Sequence, residues 1–336
     1  MDNMSSVPLF RRVLRSKAFT LFILLAFIVL VFSVLAPLKD ATFFTFRTFL
    51  NIFYDLAVPS FLGIGASCLL VSGAIDLSSW TVGALTGVIM AIGISWWGLP
   101  WYVCMLIALA CAALIGFLNA TFVSKLGMAP FIATMAMASI VRGINMLIAT
   151  DKQGVLNGMV NYENATLHKI AYFEIAGIPL TVILMIIAFV AYGLMLSKSK
   201  MGRHIYMLGG NMNAARLAGI KAGKLQYFLF MNCSILASIS GMVYTMRAKQ
   251  GSTSMMSAEQ FTGMTAAMLG GISFGGGSGG LGGAFVGLFV IKTFNKGMLI
   301  VSSNTFLAST TTGVLLLAAL TFDYINQRRQ NKRVGA

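Results

Sequence analysis

Charge is scarce in this chain, and acidic charge scarcest of all. Of 336 residues, 24 are Lys or Arg and only 9 are Asp or Glu. Hydrophobic residues make up 58%, above the roughly 45–50% of soluble domains, so an ordinary water-soluble domain is excluded. Histidine is nearly absent. His168 and His204 both stand in polar segments, and no nucleophile–base pair can be assembled from either, so no catalytic residue is assigned. The four cysteines (Cys68, Cys104, Cys111, Cys233) lie inside apolar runs without CxxC spacing or a neighbouring His. They read as small buried hydrophobes, neither disulfide framework nor metal ligands. The 22 methionines are scattered along apolar runs with no clustered His or Cys, a packing pattern and not a soft-metal site. No GK[ST] element follows a glycine-rich turn, so nucleotide hydrolysis, if coupled, belongs to another polypeptide. The formal charge of +15 raises nucleic-acid binding only to dismiss it. The basic residues flank apolar runs and form no stripe interleaved with aromatics.

Long apolar runs are what the chain does have. Ten segments suit membrane-spanning helices: about 18–37, 51–72, 79–97, 101–123, 129–149, 179–196, 225–246, 260–274, 283–300 and 304–322. The first follows Arg11, Arg12, Arg15 and Lys17 and has no clear small-residue cleavage site after it, so it reads as an uncleaved helix. With the N-terminus inside, 15 of the 24 basic residues fall on the cytoplasmic side. The expectation is an all-α integral membrane protein of about ten transmembrane helices with both termini cytoplasmic. It forms one transmembrane domain over 1–336, with a cytoplasmic N-terminus (1–17), loop (197–224) and tail (323–336). The external loop 150–178 is the longest polar stretch and suits a surface lid or a landing site for an external partner. Its Asn164-Ala165-Thr166 is a sequon in form only.

Several polar elements interrupt the apolar pattern. Residues 202–225, GRHIYMLGGNMNAARLAGIKAGKL, form a basic, helix-prone island. Within it, Gly210, Asn211, Ala214, Ala215, Arg216 and Gly219 describe a short glycine-closed helix suited to a partner's groove. In the turn Gly73–Ser79, Asp76 and Ser78 are placed to cap the next helix, a role compatible with a functional one. Asn119, Thr134 and Arg142 fall at or near membrane depth. An unpaired Arg there costs on the order of 3 kcal/mol, so Arg142 either binds backbone carbonyls or lines a translocation path. Residues 270–283, GGISFGGGSGGLGG, hold nine glycines and no charge. A GxGxxG at Gly275, Gly277 and Gly280 has no strand before it, and the segment reads as a packing or hinge junction built on Gly270, Gly271, Gly276 and Gly280. Lys292 and Lys296 lie four apart on one helix face, with Asn295 beside them. Lys292 sits about 6 Å deeper. Lys296 is expected to snorkel outwards, and Lys292 to face the dimer or a cavity, near Glu259 or a polar solute.

These elements together resemble the permeases of ABC importers, specifically the ribose/xylose/galactose-type branch. Gly73–Ser79 is similar to that branch's GGIDLSVG segment, with Ala74 for the second glycine and Ser79-Trp80 for Val-Gly. Gly116-Phe117-Leu118-Asn119, Pro130–Thr134 and Arg142-Gly143 are similar to its GxxNG, PPFIxTLG and RG elements, and 270–283 to its GGTSLxGGxG. The motifs run in order from about residue 60 to 322. The resemblance implies an importer of a monosaccharide or related small polar solute in the bacterial cytoplasmic membrane. It implies a cytoplasmic ABC ATPase docked on the 197–224 loop, a second permease copy or paralogue, and a periplasmic or lipid-anchored substrate-binding protein. Beyond membrane lipid no other partner is implied: no cofactor or metal in this chain, ATP and Mg on the partner ATPase, and no nucleic acid. There are departures. The branch's YELDAIAA appears as Glu259–Ala266 with two acidic positions lost, and Lys292 and Lys296 stand where many relatives have Gly and Asn. An ion-coupled secondary transporter is the alternative, but only Asp55 and Asp76 offer carboxylates near spans, and Asp76 is expected at a span's edge.

Overall fold

The computed structural model describes residues 17–302 and isolated helical positions between 307 and 321. The expected span 304–322 therefore lies almost wholly outside the described residues. Helix α1 (Lys17–Leu35) is apolar on every side and ends in a short 3-10 turn, Ala36–Lys39. Then come α2 (Phe46–Val71), α3 (Ser79–Ser95), α4 (Trp101–Ser124) and α5 (Pro130–Ile148). The polar stretch that follows is ordered: β1 (Met159–Asn161), α6 (Ala165–Ala171), and a hairpin of β2 (Glu174–Ile175) and β3 (Ile178–Pro179). Asn164 serves here as a helix cap, its Oδ1 accepting from Leu167 N at 3.0 Å. Helices α7 (Leu180–Lys198), α8 (Lys200–Gly210), α9 (Met212–Leu217) and α10 (Ala222–Ala248) lead to β4 (Gln250–Ser252). The described chain closes with α11 (Ser257–Leu269) and α12 (Leu281–Ser302).

Seven of these helices are long and apolar enough to cross a membrane. Helices α3, of 17 residues, and α11, of 13, fall short of that length, although both coincide with expected spans. Their shortness has a structural cause. After α2 ends, the 72–78 segment doubles back into the bundle. Ser79 Oγ lies 3.3 Å from Cys233 Sγ, and Cys233 packs on Gly65, well before the end of α2. So α3 starts part-way along its neighbours.

Burial separates the helices by role. Helices α2, α3 and α10 are largely enclosed, whereas α1, α4, α5 and α7 expose apolar faces such as Phe27, Leu30, Leu106, Leu114, Ile187 and Val190. In water such a belt would be unfavourable; in hydrocarbon it is solvated. Helix α10 packs on α2, α3 and α4. Close approach is permitted by small residues, as at Gly116 of α4, where an added Cβ would sit 2.6 Å from Met231 Cα. The strand β1 pairs antiparallel with β4, Val160 opposite Gly251. This pairing and the Tyr162 hydroxyl, which donates to Thr245 O at 3.2 Å, fasten the 150–178 loop over the end of α10.

Candidate functional site

Three arrangements among the described residues stand out within the apolar bundle. The first is buried where the 72–78 segment re-enters. Asp76 Oδ1 accepts from Ser78 N at 2.8 Å and Ser78 Oγ at 2.6 Å, and Oδ2 accepts from Ser79 Oγ at 3.0 Å. Asn119 Nδ2 of α4 donates to Ser78 Oγ at 2.8 Å. Thr134 Oγ1 of α5 accepts from Leu77 N at 3.1 Å, and Gln260 Nε2 of α11 donates to the Asp76 carbonyl at 2.9 Å. Irregular backbone at such depth survives only where protein supplies its partners. Four elements supply them. Capping by Ser78 is not what forms: Ser78 is the N-cap residue of α3, but its side chain makes no cap bond and joins Asp76 and Asn119 instead. Beside this knot an open groove runs past Leu77, Trp80, Ser139, Arg142, Gln260 and Phe261.

The second arrangement joins three glycine segments. Gly277 N donates to Val71 O at 2.8 Å. A Cβ on Gly276 would stand 2.8 Å from Gly73 Cα, and one on Gly277 would stand 2.7 Å from Gly210 Cα. Both have positive φ, +83° and +70°, which L side chains rarely adopt. The Tyr206 hydroxyl of α8 donates to Gly279 O at 2.7 Å. The end of α2, the α8–α9 corner and the α11–α12 junction thus meet backbone to backbone. At that corner Asn211 Oδ1 accepts from Asn213 N and Ala214 N, both at 3.0 Å, capping α9. Gly219 N donates to Arg216 O and Ile220 N to Ala215 O, each at 3.0 Å, so the expected glycine closure is a Schellman turn with Gly219 at φ +79°. Leu217 is 91% exposed.

The third arrangement is a cavity of about 570 Å³ at the other end of α2, lined by Tyr54, Asp55, Arg247, Glu259, Lys292 and Lys296, with Tyr172 and Asn295 at its wall. Lys292 Nζ reaches both carboxylate oxygens of Glu259, at 2.7 and 2.9 Å. Asp55 holds two cations, Arg247 Nη2 at 3.5 Å and Lys296 Nζ at 3.4 Å. The Tyr54 carbonyl accepts from Arg247 Nη1 at 2.7 Å. The guanidinium lies 3.4 Å above the Tyr54 ring, a cation–π geometry. Every ion pair among the described residues faces this cavity. From Tyr54 to Val71 the helix rise separates cavity and glycine junction by about 25 Å.

Residues 48–320 match the family model described as branched-chain amino acid transport system / permease component. The chain belongs to that family. It is 31% identical over 306 residues to the ribose import permease protein RbsC of Escherichia coli strain K12, covering 90% of this chain and 92% of the relative. The RbsC of Bacillus subtilis strain 168 is 28% identical, over 90% of this chain and 91% of its own. The D-allose transport system permease protein AlsC of E. coli strain K12 is 29% identical, over 90% of each. No solved structure matches the chain. The protein is a multi-pass ABC permease subunit, a transport component without its own ATPase site.

Within this permease the residues singled out from the sequence fall into separate groups. Asp76, Ser78, Asn119 and Thr134 share the buried knot. Asp76 stands deep in the bundle, where 72–78 doubles back, not at its edge as expected. Arg142 is exposed and lines the groove beside them. Lys292 meets Glu259 as anticipated, but Lys296 does not snorkel: it turns to Asp55 in the same cavity. Among the loop residues Ala215 is buried, so it seats α9, while Ala214, Arg216 and Gly219 are exposed. Of the hinge glycines, Gly270 is wedged against Gly283 and Gly276 against Gly73. Gly280 has room, with its nearest neighbour, the Tyr206 hydroxyl, at 3.9 Å, so it is not a packing constraint. Arg247 escaped sequence reading because a basic residue at a helix end looks like an ordinary membrane flank.

Proposed function

We propose that this permease imports a monosaccharide or related small polar solute across the bacterial cytoplasmic membrane, driven by ATP hydrolysis on a separate subunit that binds ATP and Mg. The observation that supports the reading is the α8–α9 corner. It presents an exposed Leu217 on a capped, glycine-closed helix, and its other side is interlocked with the α11–α12 junction. A push on α9 would reach α2 and α12 through backbone contacts that have no side chain to absorb it. In this reading the corner and both termini are cytoplasmic, the helices span ten times, and 1–336 is one transmembrane domain. The charged cavity and the 150–178 loop then face outwards, towards a periplasmic or lipid-anchored binding protein. A second permease copy or paralogue would complete the path along the Arg142 groove, with Lys292 and Asn295 at its outer end.

Ion coupling is the weaker reading for a structural reason. A coupling carboxylate must gain and lose its ion during transport. Here Asp76 is held by two hydroxyls and a backbone N–H, Glu259 by Lys292, and Asp55 by two cations.

The docking part is tested at Leu217, whose side chain is exposed, and at Gly219, where the φ of +79° makes a substitution perturb the helix closure as well as the surface. Leu217→Glu and Gly219→Glu are expected to weaken copurification of the ATPase by about thirtyfold, the worth of one buried anchor of about 2 kcal/mol. Normal ATPase association and transport in both variants would remove the corner from the coupling role. Ala215→Glu is a poor probe, because it would unseat the helix itself.

A further inference from the structure

Among the described residues five charges face one cavity, and they do not cancel. Lys292 occupies both oxygens of Glu259, leaving that carboxylate no demand for another cation. Asp55 is divided between Arg247 and Lys296, at 3.5 and 3.4 Å, longer than the 2.7–2.9 Å of a close charge-assisted contact. Three cations against two carboxylates leave one positive charge unmatched. The space around them, about 570 Å³, lies within the roughly 300–1,000 Å³ of small-molecule sites. Partly enclosed charge is costly unless paired, so the surplus favours an anionic occupant.

The arithmetic also selects among anions. A neutral sugar would leave the third cation without purpose, and a metal cation would add to the surplus. A dianion such as phosphate would overshoot it. A monoanion balances it. Lys296 and Arg247, which share Asp55 at long range, keep donors available to a carboxylate. Asn295 on the same wall offers an amide donor and acceptor to hydroxyl groups, and Asp55 an acceptor.

We propose that this cavity binds a monoanionic polyhydroxy acid, its carboxylate held between Lys296 and Arg247 and its hydroxyls by Asn295 and Asp55. The proposal rests on the importer reading and deepens it, replacing a neutral sugar by a sugar acid as the solute class.

The test uses the full chain in lipid nanodiscs, titrated at constant ionic strength with D-gluconate, D-glucitol, acetate and inorganic phosphate. The thermal unfolding midpoint is read at each concentration. Gluconate is expected to half-saturate at a concentration about tenfold lower than glucitol, the worth of one charge-assisted contact. Acetate, lacking hydroxyls, should bind more weakly than gluconate. Lys296→Met should erase the preference and Lys296→Arg restore it. Lys152→Met, on the exposed external loop, should keep it. Equal half-saturation for gluconate and glucitol, or an unchanged preference in Lys296→Met, overturns the proposal. A preference for phosphate over gluconate overturns the monoanion assignment. ATPase copurification is measured on the same preparations. A chain that retains its ATPase but treats gluconate and glucitol alike loses the sugar-acid proposal and keeps the importer reading.

Discussion

Gly277→Ala is expected to reduce uptake to below about a tenth of the parent, while Gly280→Ala stays close to it. The two residues are three apart in one glycine run, and only their surroundings differ. Gly277 has φ +70°, and its new methyl would stand 2.7 Å from Gly210 Cα and 2.9 Å from Gly210 N. The left-handed backbone costs an L residue about 1–2 kcal/mol, and crowding against backbone adds a cost of about the same size. The chain must therefore either separate α8 from the α11–α12 junction or lose stability at the corner. Gly280 meets nothing closer than 3.9 Å, and its φ is not in the left-handed range. Uptake and thermal unfolding of both variants, measured side by side, check this. Equal behaviour would mean that the junction does not transmit through its backbone.

Glu259→Gln is the second large effect. It leaves the Lys292 ammonium, only 12% exposed, without its carboxylate. Losing a charged partner at such a site costs about 2–3 kcal/mol, less than for a fully buried pair because the cavity is open. Lys292→Met leaves Glu259, which is 23% exposed, and is expected to cost less. Removing both partners in Glu259→Gln/Lys292→Met should recover part of the loss, with a coupling energy of at least about 1.5 kcal/mol in a double-mutant cycle. Additive losses would show that the two side chains act independently.

The contrast between these sites shows what the sequence could disclose. Apolar runs located nine of the described helices because hydrocarbon demands length and apolarity, and both are linear properties of the chain. Depth is not linear. Asp76 reads as an edge residue because a hydropathy window cannot register that 72–78 doubles back to Cys233. Lys292 could be placed near Glu259 since a deep ammonium needs a partner. Lys296 could not be placed, because its partner Asp55 is 241 residues away on α2 and a lysine near a helix end has a cheaper alternative in water. Glycine abundance marked 270–283 as a junction. It could not show which glycines are wedged, since that depends on Gly73, Gly209 and Gly210 arriving from two other segments.

Energy source is the most direct test. The purified permease, with whatever ATPase copurifies, is reconstituted in liposomes and supplied with solute and, where required, its binding protein. ATP enclosed on the side of the α8–α9 corner should drive accumulation, and Leu217→Glu should abolish it without altering insertion. Proton or sodium gradients alone should drive none. Accumulation on an ion gradient without ATP, unaffected by Leu217→Glu, would contradict the importer reading at its centre.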